Sequence, residues 1–470
     1  MLFNSITFAI FLAIVLTVYW LLRFRAQNAL LLVASWVFYA FWDWRFLGLL
    51  VFQSLVDFFA GLAIGNSEDE RFRKRVLIAA ISVNLLILGF FKYFGFFVDS
   101  AINFLEWFGL NPNPPLLEVL LPIGISFYTF QSITYSFDVY RRRLPPTRSL
   151  LNYSVFVAYF PHMVAGPIQK AKHLLPQIEN PRKRPTVEKI RSGSFLIMLG
   201  LFKKVAIADA VAIVAAKAFD APGQASSALL LVGVVAFALQ IYGDFAGYTD
   251  IARGVSRLFG IELTLNFEQP YLSRNITEFW RTWHISLSTW LHDYLYVPLG
   301  GNQRGKLATY RNLMITMLLG GLWHGASWTF VIWGGIHGLL LAIHRAMGGY
   351  APRGQLDPLK WPHVPRILGT FSLVCIAWVF FRATDLSSAL DYLQGLFSFR
   401  PGGVAADDLI VVGVSALFIL IIDVAQRLTR DQEVVLRWAP PLRGIAYALL
   451  FVWIVLWSGG EAQPFIYFQF

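Results

Sequence analysis

Apolar runs of membrane-crossing length recur along this chain, separated by short clusters of basic residues. The cores of such runs lie at 6–22, 76–91, 195–202 with an apolar continuation past Lys203 and Lys204, 228–242 and 445–457. A helix of about 17–25 apolar residues spans a bilayer core. The short-period apolar/polar alternation of a membrane barrel is absent, and backbone groups in lipid must be satisfied within their own segment, so these runs are predicted to be helices. Basic clusters occur at Arg23 and Arg25, at 71–75, at 141–143 with Arg148, and at 170–191, 304–311, 345–366 and 427–443. Loops rich in Lys and Arg face the cytoplasm, so an even number of crossings is expected between successive clusters. Two runs, 28–41 and 46–64, separate the first pair, and 76–98 and 116–139 separate the next.

Parity then breaks in a useful way. Between Arg148 and Lys170 there is one run, 151–168, interrupted by Pro161, Gly166 and Pro167. A single run between two cytoplasmic loops must enter and return, and such backbone survives at membrane depth only inside protein or along a wet cavity. The segment 312–343 poses the same problem through its length. It holds no Asp, Glu, Lys or Arg, and as one helix it would measure roughly 48 Å against a core of about 30 Å. Its glycines at 320, 321, 325, 334 and 335 are the expected break points, and His324 falls among them. The expectation is an all-α polytopic membrane protein. About eleven crossings plus re-entrant and interfacial helices would form one integral domain over 1–470, with both termini outside the cytoplasm. No internal repeat is evident.

Composition agrees. The chain is 57% hydrophobic and 14% charged, where soluble proteins average about 45–50% and about 25%. Residues 1–22 lack a basic leader and a small-residue cleavage site, so they read as a retained first span rather than a signal peptide. The net charge of +11 is accounted for by the basic cytoplasmic loops, so no nucleic-acid partner is inferred. Cys375, the single cysteine, lies in an apolar run and reads as a small packing residue.

Two stretches carry candidate chemistry. In 275–301, NITEFWRTWHISLSTWLHDYLYVPLGG, projection at a helical period puts Trp280, Trp283, His284, Leu287, Trp290, Leu291 and Tyr294 on one face. Glu278, Arg281, Thr282, Thr289, His292 and Asp293 fall on the other. This predicts one amphipathic interfacial helix, started by a capping-box spacing of Asn275 and Glu278 and ended by Pro298. His284 is anomalous because it points with the tryptophans. In 320–328, GGLWHGASW, a second histidine, His324, follows Trp323 at membrane depth. Either ring taken alone could be a hydrogen-bonded packing residue. Two such histidines in Trp/Gly-rich settings point instead to function, because intramembrane ionisable groups are costly. A dry site favours neutral imidazole, which can take a proton from a hydroxyl or thiol nucleophile.

A metal site has little support. The eight histidines show no HxxxH or HExxH spacing, and Cys or carboxylate partners at zinc-site spacing are missing. There is no GxSxG elbow and no phosphate loop. Asp244 and Asp250 end an apolar run and either line a cavity or pair with Arg253 or Arg281. Asp57 and Asp138 read as satisfied at span ends, and His162 is a further candidate lining residue in the re-entrant segment.

LLPIGISFYTF (120–130), AGPI (165–168), DFAGYTD (244–250), the 275–302 stretch and GGLWHGASW occur in an order that resembles the membrane-bound O-acyltransferase family. Within it they are most similar to the bacterial alginate O-acetylase branch, whose relatives acetylate peptidoglycan or cellulose or D-alanylate teichoic acid. The resemblance implies a ring of helices around a central tunnel in the inner membrane, with acyl-CoA entering from the cytoplasm and the acceptor from the other side. It assigns the family's near-invariant histidine to His324 and the second signature residue to His284. Trp323, Trp280, Asp293, Asp244 and His162 are the tunnel or substrate-lining candidates. No bound cofactor is expected, with acetyl-CoA as donor substrate. The implied partners are membrane lipid, a polysaccharide acceptor and an extracytoplasmic SGNH-type acetyltransferase. Where the family usually carries Arg and commonly a basic residue, this chain has His292 and Gln169. The aromatic C-terminal stretch 461–470 either docks such a partner or packs back on the helices. The rival reading is a transporter or flippase of a glycan or lipid-linked intermediate, since broken helices with buried polar groups also suit transport. A non-catalytic membrane scaffold would explain the hydrophobicity but not the two histidines.

Overall fold

The structure, a computed structural model, describes residues 1–110, 112, 119–164, 166–349, 359–458 and 465–466. Ala165 of the AGPI stretch and all but Phe465 and Ile466 of the 461–470 tail lie outside them. The regular secondary structure of the described residues is helical throughout, as the apolar periodicity requires.

Among the described residues, seven helical stretches are long and apolar enough to cross a membrane: Phe24–Asn66, Glu70–Glu106, Ser227–Leu258, Trp328–Ala346, Trp361–Arg382, Ala406–Thr429 and Pro440–Trp457. Ile6–Leu21 is a shorter apolar helix. The 43 residues of Phe24–Asn66 would reach roughly 65 Å as one rod. They are instead two helices, Phe24–Asp43 and Leu47–Asn66, joined by the tight turn Trp44–Phe46, in the places expected for 28–41 and 46–64. Pro440–Trp457 has no buried residue, and Leu449 and Leu456 are 63% and 67% exposed. An apolar helix with that much exposed surface is stable only if its outer solvent is lipid.

The chain forms two compact units, one of residues 1–193 with 255–264 and one of 194–254 with 265–470. In the first, Asp57 is fully buried and accepts hydrogen bonds from Asn84 Nδ2 and Ser136 Oγ, each at 2.8 Å. This carboxyl lies inside Leu47–Asn66, not at a span end as expected, and its partners come from two other helices. Asp138 does sit near a helix end, 3.8 Å from Arg143. The 151–168 run is broken into Leu150–Ala158 and Phe160–Met163, each too short to cross a core of about 30 Å. The break falls at Tyr159, before Pro161 rather than at it.

In the second unit, 312–343 breaks as its length demands. Gly305–His324 ends at His324, and Trp328–Ala346 begins after Ser327, whose hydroxyl caps it by accepting from Thr329 N. The glycines act differently from expectation. Gly321 and Gly334 lie inside the two helices, where a Cβ would fall 2.2 Å from Phe330 O and 2.2 Å from Met317 O respectively. They permit backbone-to-backbone contact between the helices, as small residues do in membrane helix pairs. At the break itself Gly325 is needed for space, because a Cβ there would sit 2.1 Å from the Phe330 ring.

Candidate active site

The segment holding His284 is not the single helix its periodicity predicts. Ile276–Thr282 and Ile285–Leu291 are separate helices, and His284 between them has φ +43° and ψ +54°. For a residue with a Cβ this left-handed conformation costs roughly 1–2 kcal/mol and persists only where surrounding contacts over-determine it. Asn266 supplies them. Its carbonyl oxygen accepts from Ile285 N at 2.9 Å, and its Oδ1 accepts from Ser286 N at 3.2 Å and Ser286 Oγ at 2.9 Å. Thr282 O accepts from Glu268 N at 3.0 Å on the other side of the break. Sequence reading missed Asn266, a fully buried polar residue that stands between Leu265 and Phe267 in a segment of mixed polarity.

The first of these helices starts as expected, with Asn275 Oδ1 accepting from Glu278 N at 2.9 Å. The Glu278 carboxylate does not complete a capping box. It is buried and bonded to Arg427 at 2.8 Å and Arg274 at 2.9 Å. That ion triad ties the helix to Ala406–Thr429, which carries Arg427.

Turned by this break, the His284 ring is fully buried, 4.7 Å from Phe245, 5.8 Å from Trp323 and 6.3 Å from His324 between ring centroids. At 6.3 Å the two imidazoles are too far apart for a ring-to-ring hydrogen bond of about 3 Å. His324, at the end of its helix and 4% exposed, packs edge-on against Trp333 at 5.0 Å and Phe381 at 5.2 Å. Trp323 lies 5.0 Å from His324. The structure therefore gathers His284, His324 and Trp323 into one buried aromatic pocket.

The other candidates stand farther out. Trp280 joins through Trp333, 5.7 Å away, and donates its indole N–H to His337 Nδ1 at 3.2 Å. It also lines a cavity of about 670 Å³ with Arg281, Ser288, Thr289, His292 and Arg345. Neither His284 nor His324 borders that cavity. Asp293 pairs with His292 at 2.7 Å on a partly exposed surface. Asp244 is buried against Lys204 at 3.0 Å and accepts from Ile466 N at 2.7 Å. Asp250 pairs with Lys203 at 2.8 Å and Arg253 at 3.4 Å, so Arg253, not Arg281, is its arginine partner. Lys203 and Lys204 reach these carboxylates from the π-helical turn Phe202–Ala208. The described part of the tail packs back: Phe465 lies 5.9 Å from Phe245 and 4.7 Å from Tyr248.

His162 belongs to the first unit. Both its ring nitrogens are engaged, Nε2 with Gln131 Nε2 at 3.1 Å and Nδ1 with Tyr159 O at 3.0 Å. Gln169 there donates to Pro167 O and Thr264 Oγ1. Among the described residues, no group of three or more His, Cys, Asp or Glu side chains is placed to hold a metal ion.

The chain that brings these two histidines together has counterparts among known sequences. The profile of the membrane-bound O-acyltransferase family matches residues 115–383, which include both. The chain belongs to the membrane-bound O-acyltransferase family. The "Probable alginate O-acetylase AlgI" of Pseudomonas putida is 41% identical over 495 aligned positions, covering all of both chains. The protein of the same name from Pseudomonas aeruginosa is 46% identical over 401, covering 85% of this chain and 75% of its own. The "Peptidoglycan O-acetyltransferase" of Helicobacter pylori is 38% identical over 428, covering 84% and 80%. This membrane-bound O-acyltransferase is accordingly an integral membrane enzyme that transfers acyl groups to oxygen.

Proposed function

We propose that the chain takes an acetyl group from cytoplasmic acetyl-CoA and delivers it for O-acetylation of an extracytoplasmic polysaccharide of the alginate type, handing it on through an SGNH-type partner. About eleven crossings around a central tunnel in the inner membrane belong to the same reading. The observation that carries it is the buried pair His284 and His324, 6.3 Å apart. The relatives' names support the acetyl group and the polysaccharide.

In this reading His324 accepts the proton of the acceptor hydroxyl as its oxygen attacks the thioester carbonyl. The C–S bond then breaks, and the CoA thiolate leaves and takes up that proton. General-base help of this kind is worth about 10²–10⁴-fold. Its position suits the task, since Trp323, Trp333 and Phe381 wall the ring from lipid and water. His284, held across the pocket by the Asn266 clamp, positions donor or acceptor.

The test is release of free CoA thiol from acetyl-CoA by purified protein, with periplasmic extract supplying the acceptor partner. Wild type is expected to release thiol, and His324→Ala to lose release while still inserting and folding. Retained release by His324→Ala would remove the base role. No release by wild type with that extract present would count against acetyl-CoA as the donor.

A further inference from the structure

Next to the histidine pair lie two groups that the mechanism above does not use. His337 and Trp333 are both fully buried, on rings 4.7 Å apart and four residues apart on the helix Trp328–Ala346. Four residues is one helical turn, so the two side chains share a face. The Trp280 indole N–H donates to His337 Nδ1, which makes that nitrogen the acceptor. A neutral imidazole with Nδ1 as acceptor carries its proton on Nε2. His337 Nε2 has no hydrogen-bond partner among the described residues, and neither does Trp333 Nε1. Indole N–H can only donate. The fold therefore presents two buried donors on adjoining rings with no acceptor among the described residues, one of them on the ring that packs 5.0 Å from His324. A buried donor without a partner costs the desolvation of its N–H, and such groups in a native structure call for an explanation such as a catalytic role.

We propose that His337 Nε2–H and Trp333 Nε1–H form a two-donor site for the carbonyl oxygen of the acyl donor, stabilising the negative charge that develops there when the thioester is attacked. This rests on the acyl-transfer reading above and adds two catalytic residues to it. The chemistry balances: the carbonyl π pair moves to oxygen as the acceptor's C–O bond forms and returns as the C–S bond breaks. The two N–H groups only donate hydrogen bonds and keep their protons. Trp280 is then a positioning residue, since its indole fixes the tautomer that leaves Nε2–H as donor.

The experiment uses the full-length protein in detergent, with Trp333→Phe, His337→Phe and His337→Gln beside wild type. Trp333→Phe keeps an aromatic ring and removes the donor with part of the indole, so activity is read per folded protein. Per folded protein, thiol release from acetyl-CoA is expected to fall about 10²–10³-fold in kcat for each Phe variant, with KM within a few-fold of wild type. His337→Gln, which restores an amide donor, is expected to recover at least tenfold of the loss. A second measurement compares binding of S-acetonyl-CoA, a ketone with a CH2 inserted between sulfur and carbonyl, with binding of S-ethyl-CoA, which lacks the carbonyl. Wild type is expected to prefer the former and the Phe variants to lose that preference.

Wild-type turnover with an unimpaired Trp333→Phe overturns this inference alone; it is the result expected if neighbouring ring faces or a water already answer the two donors. Loss of activity that only tracks loss of folded protein, without rescue by His337→Gln, overturns it as well. No turnover and no analogue binding by wild type overturns the acetyl-CoA reading above and this inference with it.

Discussion

At the scale of single residues, one torsion angle distinguishes the site. His284 occupies the left-handed region, which Asn tolerates and β-branched residues do not. His284→Asn is therefore expected to unfold close to wild type, while His284→Val unfolds roughly 1–2 kcal/mol earlier, measured by thermal unfolding in detergent. Both are expected to lose thiol release, because neither replaces the imidazole. If Val proved as stable as Asn, the clamp by Asn266 would not be holding the backbone as described. Periodicity could not foresee this angle. A helical projection assumes continuous helix, so it grouped His284 with Trp280, Trp283 and Trp290 on one unbroken face, where the turned ring instead meets Phe245, Phe267 and Trp323.

At the scale of elements, the hairpin of Gly305–His324 and Trp328–Ala346 places His324. Its closeness depends on Gly321 and Gly334, each facing backbone at a distance no Cβ tolerates. Gly334→Leu is expected to cost about 1–3 kcal/mol, the range for overpacking a tight contact, and to lower kcat by moving the His324 pocket. Unchanged unfolding and unchanged turnover would show that the two helices have slack. The π-helical turn Phe202–Ala208 is the other element whose loss should be felt. Lys204 on it bonds Asp209 at 2.8 Å and Asp244 at 3.0 Å, all well buried. Lys204→Met leaves two buried carboxylates without their cation and is expected to cost about 3–5 kcal/mol. Adding Asp209→Asn and Asp244→Asn should restore part of that; a triple variant no better than the single one would contradict the ion-pair account. The length of 312–343 announced that its helix must break, and its neighbours decided where. The glycines most useful to the fold are contact sites within the helices rather than break points.

At the scale of the molecule, the alternation of apolar runs and basic loops predicts which loops face the cytoplasm. Lys306 is exposed in a basic cluster, and Gly403 lies between Trp361–Arg382 and Ala406–Thr429, with open space around its Cβ position. In a Cys375→Ser background, Lys306→Cys should resist a membrane-impermeant thiol reagent added to intact spheroplasts, and Gly403→Cys should react. The reverse pattern would invert the orientation derived from the positive-inside rule. Family membership spans both compact units, since the matched residues 115–383 include parts of each.

From sequence alone came the membrane, the helices, the breaks in 151–168 and 312–343, and the two histidines that the structure brings into one pocket. Each rests on a local quantity: run length against bilayer thickness, charge between runs, or an ionisable ring where water is scarce. What only the tertiary structure decided is how side chains distant in sequence meet. Asn266 clamps His284, Lys204 neutralises Asp244 across 40 positions, Trp280 fixes the tautomer of His337, and Phe330 dictates glycine at 325. Such pairings leave no periodic trace, because they depend on where whole helices dock. His337 illustrates the difference: its spacing in the chain suggests nothing, and its proposed role appears once Trp280 is found on one of its nitrogens and, among the described residues, no acceptor on the other.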